Sequence, residues 1–350
     1  MNRRTLVLAG TVVLTAVTAV LHYGTNQEVA TFVVGALALG GLAWVVGVGT
    51  ESVGARFGPA MTGVLQSTLG NLPELFIVLF ALSAGETVVA QTSILGSLFA
   101  NSLLVLGLAI VAGAHRAEDG IMRFSARLPN DTAVLSLLAS FLLVLLGISD
   151  RIGDKASRHQ VGISVAGAVV LLVIYVVWLL GYLKSGETSE PAVEASADHL
   201  SFGRAIALLA AAGVGAAFVS DWFVAALDPA VRQLGISKAF TGLVVVGIAG
   251  NAVENVVGVT LAAKGQSDLA VSVVKNSVAQ IVAFLFPALV LLSLFFATRL
   301  TFVVEPVLAA AVGISALAVW AITRDGEAPA FEGAALVGFY AILAALVWFE

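Results

Sequence analysis

The sequence predicts an all-α polytopic membrane protein with 11 transmembrane helices, one extra N-terminal helix followed by two inverted five-helix repeats. Three observations predict it. Only 17 Lys+Arg and 22 Asp+Glu occur in 350 residues, 11% charged, against about 25% in a soluble domain. The 59% hydrophobic share and mean hydropathy of +1.03 come in blocks longer than the roughly 20 residues that cross a bilayer. The chain also resembles itself at an offset of 180 residues. Soluble enzymes are excluded, and with net charge −5 and no long basic run, nucleic-acid binding is excluded too. The absence of cysteine removes disulfides, thiolate ligands and cysteine nucleophiles.

The apolar spans run over 5–23, 28–49, 57–83, 87–113, 131–148, 160–183, 203–226, 236–263, 267–296, 301–322 and 330–348. They are continuous rather than alternating, so strands are not expected, and backbone in lipid must satisfy itself within helices. The first span follows Arg3 and Arg4 as a signal peptide would. It is long for one, and the next span follows almost at once, so it reads as a helix of the folded protein. With the N-terminus cytoplasmic, ten Lys/Arg fall in cytoplasmic loops and six in outside ones, which places the C-terminus outside. Residues 1–27 form the extra helix, 28–183 the first repeat, 184–200 an acidic cytoplasmic linker with Glu187, Glu190, Glu194 and Asp198, and 201–350 the second repeat.

Gly70-Asn71-Leu72-Pro73-Glu74 recurs as Gly250-Asn251-Ala252-Val253-Glu254, and the same offset pairs Gly85 with Gly265 and Ser97 with Ser277. Five spans per repeat is an odd number, so the second copy is inverted in the bilayer, an architecture that puts transport sites at the midplane. Glu74 and Glu254 each lie about four residues past the middle of a span. A charge there costs about 2.5–3.5 kcal/mol or more, so each needs a cation, a proton or a buried partner. Two at equivalent positions, each preceded by Asn three residues earlier, favour a shared ion site over a structural hydrogen bond.

The surroundings supply oxygen. Ser67, Asn71 and Glu74 share one helical face, as do Ser93, Ser97 and Asn101, while Asn276, Ser277 and Gln280 lie on the ninth span. Gly70, Gly96, Gly247 and Gly250 permit close helix approach or local unwinding, with packing alone an equal reading for Gly96. Pro73 frees a backbone carbonyl one turn earlier. Such a set suits a hard cation such as Ca²⁺. None of the four histidines lies deep in a span, which argues against Zn or Cu.

Gly-Asn-x-x-Glu in both halves, with Gln91–Asn101 (QTSILGSLFAN) after the first and Asn276–Ile281 (NSVAQI) after the second, resembles the two α-repeats of the calcium/cation antiporter superfamily, and within it the calcium/proton antiporters. The resemblance covers nearly the whole chain. It implies that Glu74 and Glu254 accept both Ca²⁺ and protons, with Asn71, Asn251, Ser97, Asn101, Ser277 and Gln280 in or around the site. Two departures stand out as tuning positions. Asn255 stands where the family commonly has His, and Lys275-Asn276 where it commonly has Gly before the serine.

The resulting expectation is a secondary transporter exchanging Ca²⁺ or a similar divalent cation for protons by alternating access, not an enzyme, with no cofactor and with the ions as cargo. Its partners are the lipid bilayer and inorganic cations, and a homo-oligomer is compatible with the sequence. The expected location is a prokaryotic plasma membrane. A Na⁺ or other monovalent cation/proton exchanger is the alternative. A passive channel lacks a ring-forming filter segment, and an intramembrane hydrolase lacks any nucleophile or metal motif. Lys275 has two readings. Either its ammonium snorkels to the cytoplasmic interface, or it reaches Glu254 and neutralises it, in which case Lys275→Leu would tighten Ca²⁺ binding.

Overall fold

The computed structural model describes residues 3–54, 69–184 and 200–349. Helices α1 (Arg3–Gly24) and α2 (Glu28–Gly54) come first, followed by α3 (Leu72–Ser83) and α4 (Thr87–Arg116). Next come α5 (Arg127–Ile152), α6 (Gln160–Lys184) and α7 (Phe202–Leu234). The last five are α8 (Lys238–Gly250), α9 (Ala252–Ala263), α10 (Ser267–Phe295), α11 (Pro306–Thr323) and α12 (Ala330–Trp348). Among the described residues nine helices are long and apolar enough to cross a membrane, and α8 with α9, bent by 57°, counts as a tenth when the pair is taken as one broken span. Of the span expected over 57–83, α3 is described. Ser67 and most of the acidic linker lie outside the described residues.

The offset of 180 survives in three dimensions. α3 maps onto α9 and the start of α4 onto that of α10, residue for residue. Both junctions turn on a glycine in the left-handed region, Gly85 at φ 79° and Gly265 at φ 80°. In each the two amides after the helix bond back into its last turn, Gly85 to Leu82 and Glu86 to Ala81, then Gly265 to Ala262 and Gln266 to Leu261. Only glycine takes this conformation without a Cβ penalty. α4 and α10 each carry a widened π-helical turn just past their middles, at Ala100–Val105 and Ile281–Leu285.

Equivalent helices run antiparallel. Gly35 of α2 packs on Phe223 of α7, Gly215 of α7 on Leu42, and Gly49 on Leu209, so rising numbers in one meet falling numbers in the other. Small residues at these crossings let the backbones approach, the usual basis of helix packing in lipid.

Three expectations are corrected. The seventh span ends at Leu234 rather than 226, because the helix runs through Pro229. Proline usually breaks a helix. Here the turn is held by burial of Leu227, Ala230 and Val231 and by Asp228, which pairs with Arg232 at 3.0 Å and Lys238 at 2.6 Å. The tenth span begins at Pro306 rather than 301. The segment before it is non-helical, its backbone served by Gln91, whose amide donates to the carbonyls of Thr301 (3.2 Å) and Val303 (2.7 Å), and by Ser164, which accepts from the Phe302 amide at 3.1 Å. Strands were not expected, yet β1 (Ile121–Arg123) and β2 (Glu327–Pro329) pair antiparallel. They join the α4–α5 and α11–α12 loops, outside the spans, where the argument from lipid does not apply.

Candidate ion site

Each Gly-Asn-x-x-Glu motif sits at a helix break. Asn71 caps the N-terminus of α3 with φ −82° and ψ 9°, Pro73 lies in the first turn, and Glu74 follows. Asn251 does the same for α9 with φ −93° and ψ 26°, and Glu254 lies in that first turn. Proline explains the first break. The second has none and uses Gly250-Asn251, with the Asn251 amide donating to the Gly247 carbonyl at 2.7 Å. Asn255 clamps the same break by donating to the Ile248 carbonyl, seven residues back, at 3.0 Å.

The two carboxylates are cradled crosswise. A Cβ built on Gly250 would lie 2.7 Å from the Glu74 carboxylate carbon, and one on Gly70 would lie 3.2 Å from Glu254 Oε1. Each motif's glycine therefore leaves room for the other motif's glutamate. Both glutamates are buried, Glu74 at 0% exposure and Glu254 at 5%. A second glycine crossing supports the first, since a Cβ on Gly247 would lie 2.6 Å from the Gly96 carbonyl carbon. Close approach is thus the structural role of Gly96.

Around the pair, Ser97 donates to Glu74 Oε1 at 3.5 Å. Asn101 donates to Asn251 Oδ1 at 2.5 Å and to Ser277 Oγ at 2.9 Å, so one amide from α4 ties residues of α9 and α10. Among the described residues, Glu74 Oε2, both amide atoms of Asn71 and Asn101 Oδ1 are buried with no hydrogen-bond partner. Buried polar atoms are ordinarily satisfied, and a cluster of orphans marks a place for an absent polar species. Oxygen atoms dominate this set, as a hard cation requires.

Not every candidate converges here. Gln280, buried on α10, hydrogen-bonds to Tyr175 of α6. Asn276 donates to Ser272 Oγ on its own helix at 3.3 Å, and the Ser93 hydroxyl to the Val89 carbonyl at 2.6 Å. Both readings of Lys275 are corrected. It is 1% exposed, so it does not snorkel, and among the described residues it makes no ion pair. It lines a small cavity with Ser102, Thr132, Ser136 and Ser315, walled by α4, α5 and α11. The reason is helical geometry. At about 100° per residue, Lys275 and Ser277 point to nearly opposite sides of α10.

Sequence reasoning missed Asp221. It lies within the span expected over 203–226 and is an acidic residue on a long apolar helix. An ionisable residue inside an otherwise apolar span is the signal that would have found it.

The chain matches the family model described as sodium/calcium exchanger protein over residues 28–184 and 204–349. It belongs to that family. Its relatives include the Ca²⁺/H⁺ antiporter of Synechocystis sp., 32% identical over 345 residues covering 92% of each chain. The Ca²⁺/H⁺ antiporter ChaA of Bacillus subtilis is 31% identical, covering 98% of both chains. Among solved structures, native YfkE superposes with a TM-score of 0.82 at 28% identity over 99% of each chain. Family, fold and membrane location therefore agree with the architecture, and these relatives are transporters.

Proposed function

We propose that this chain exchanges Ca²⁺, or a similar divalent cation, for protons, with Glu74 and Glu254 as the shared acceptors. The observation that carries the reading is the crosswise cradle, in which two buried carboxylates from equivalent motifs meet at paired helix breaks beside orphaned amide atoms. The Ca²⁺/H⁺ antiporters among its relatives support the choice of ions.

The mechanism follows from electrostatics. Two ionised carboxylates buried in apolar surroundings carry a large desolvation cost and repel one another. A divalent cation relieves both, and so do protons. The empty, doubly charged site is too costly to reorient between faces, so cation and protons must alternate. Asn71, Asn251, Ser97, Asn101 and Ser277 supply neutral oxygens to the cation and hydrogen-bond partners to the protonated acids. Gln280 braces this shell through α6, and Asn255 holds the second break in shape. Residues 28–183 and 201–350 act as the two inverted halves that alternate around the site, the N-terminus lying in the cytoplasm of a prokaryotic cell and the C-terminus outside.

Reconstituted vesicles with an imposed pH gradient test this. Ca²⁺ should move against the proton gradient. Movement of Na⁺ or K⁺ but not Ca²⁺ would replace the divalent reading by the monovalent one. Conduction without countertransport would exclude exchange.

A further inference from the structure

Asp221 is exposed on α7, a helix that spans the membrane. Among the described residues it makes no hydrogen bond or ion pair. Glu86 and Asp228, towards the same end of the bundle, are engaged with Lys238 at 2.7 Å and 2.6 Å. Asp221 borders a groove between α3 and α7, about 320 Å³ in volume, whose other walls are Phe80, Val214, Ala217 and Phe218. A Ca²⁺ ion with six or seven waters, at about 30 Å³ per water, occupies roughly 200 Å³ and fits.

The groove's level in the bilayer can be read from its neighbours. Trp222 donates from its indole to the Tyr23 hydroxyl at 3.2 Å, and Tyr23 is next to last in α1. Aromatic pairs of this kind mark the membrane–water interface, here on the face where α1 ends and α3 meets α4. Phe80 is on α3, six residues and about 9 Å from Glu74 along the helix axis. α3 and α7 run side by side in the same direction, with Leu72 against Gly213 and Phe80 beside Ala217 and Phe218.

We propose that Asp221 is a cation-capture residue at one mouth of the path to Glu74, recruiting divalent cations from the face on which α1 ends. The inference rests on the Ca²⁺/H⁺ exchange proposed above. A fixed negative charge in a low-dielectric groove concentrates cations and speeds their entry without being part of the final coordination shell. The device is one-sided. At the offset of 180 the residue equivalent to Asp221 is Gly41, which packs against Thr11 of α1, so the opposite mouth has no matching charge at this position.

The test is Ca²⁺ uptake by vesicles of defined orientation, with Ca²⁺ presented to each face in turn. Asp221→Asn should raise KM for Ca²⁺ by about threefold to tenfold on the α1-end face, with kcat and the opposite face unchanged. Asp221→Glu should restore the wild-type value. So should Ala217→Asp added to Asp221→Asn, which returns the charge one turn away on the same wall. The wild-type advantage should shrink as ionic strength rises, because about 8–10 Å screens such a charge at 0.1–0.15 M. Equal KM changes on both faces, or a fall in kcat alone, would overturn the proposal. If the wild-type protein exchanges no Ca²⁺ the functional reading fails, whereas normal exchange with an indifferent Asp221→Asn sinks only this inference.

Discussion

Gly250→Ala tests the crosswise cradle with a single methyl group. The added Cβ would sit 2.7 Å from the Glu74 carboxylate carbon and 3.1 Å from its Cγ. Carbon atoms in contact prefer about 3.5–4.0 Å, so the carboxylate must retreat by about 0.8 Å or more. Ca²⁺–oxygen bonds are about 2.3–2.6 Å long, and misplacing a binding group by about 1 Å costs on the order of 100-fold. Ca²⁺ affinity should fall by about 10- to 100-fold. The equivalent Gly70→Ala places its Cβ 3.2 Å from Glu254 Oε1, close to an ordinary C–H···O contact of about 3.3–3.6 Å, and should cost less than about tenfold. Helix propensity favours Ala over Gly by about 1 kcal/mol while overpacking costs about 1–3 kcal/mol, so the affinity loss is read only beside the stability of each variant. The assay is Ca²⁺-dependent uptake in proteoliposomes, with thermal unfolding in detergent as the control. Wild-type affinity in Gly250→Ala, or equal losses in the two variants, would refute the cradle.

Glu74→Gln and Glu254→Gln should each abolish exchange while the protein still inserts and folds, since Gln keeps the volume but cannot alternate between proton and cation; proton-coupled uptake by either would end the shared-site mechanism. Lys275→Met should leave Ca²⁺ affinity unchanged, because the ammonium lies in a cavity on the other side of α10 from Ser277. Thermal unfolding should show a raised Tm, because an unpaired amine held in a buried cavity gives way to an apolar side chain of similar length; a shifted Ca²⁺ affinity would tie Lys275 to the site after all. A cysteine in place of Ser196 should label from the cytoplasmic side, and labelling only from outside would reverse the topology.

What the sequence made legible were features that repeat or that cost energy wherever they occur. Apolar blocks suit lipid wherever they occur, the Gly-Asn-x-x-Glu motif repeats, and lipid penalises buried carboxylates whatever their neighbours. Direction was harder to read. Lys275 and Ser277 are two residues apart, and only the position of α5 and α11 decides that one faces a scaffold cavity and the other Asn101. The start of α11 at Pro306 depends on Gln91, which donates to the extended backbone, and Ser164, which accepts from it, both more than a hundred residues away. Local pattern carries no trace of partners this distant.

The departures from two-fold symmetry matter more than the symmetry. If the halves were identical, the states open to either face would be related by the two-fold rotation, with equal energies and equal affinities. Alternation would be possible, but neither direction would be preferred by the protein itself. Here the break before Glu74 carries a proline and that before Glu254 does not. One glutamate's cradle is tighter than the other's, since a Cβ on Gly250 would press closer to the Glu74 carboxylate than the 3.2 Å at which one on Gly70 would meet Glu254 Oε1. Ser97 donates to Glu74, while its equivalent Ser277 accepts from Asn101 instead. Asp221 has no charged counterpart, since Gly41 holds the matching place in the first repeat. Each difference acts on one facing state and not on its counterpart. On the exchange proposed above, the paired carboxylates would define what is exchanged, and the unmatched residues around them would set how the two faces differ in affinity.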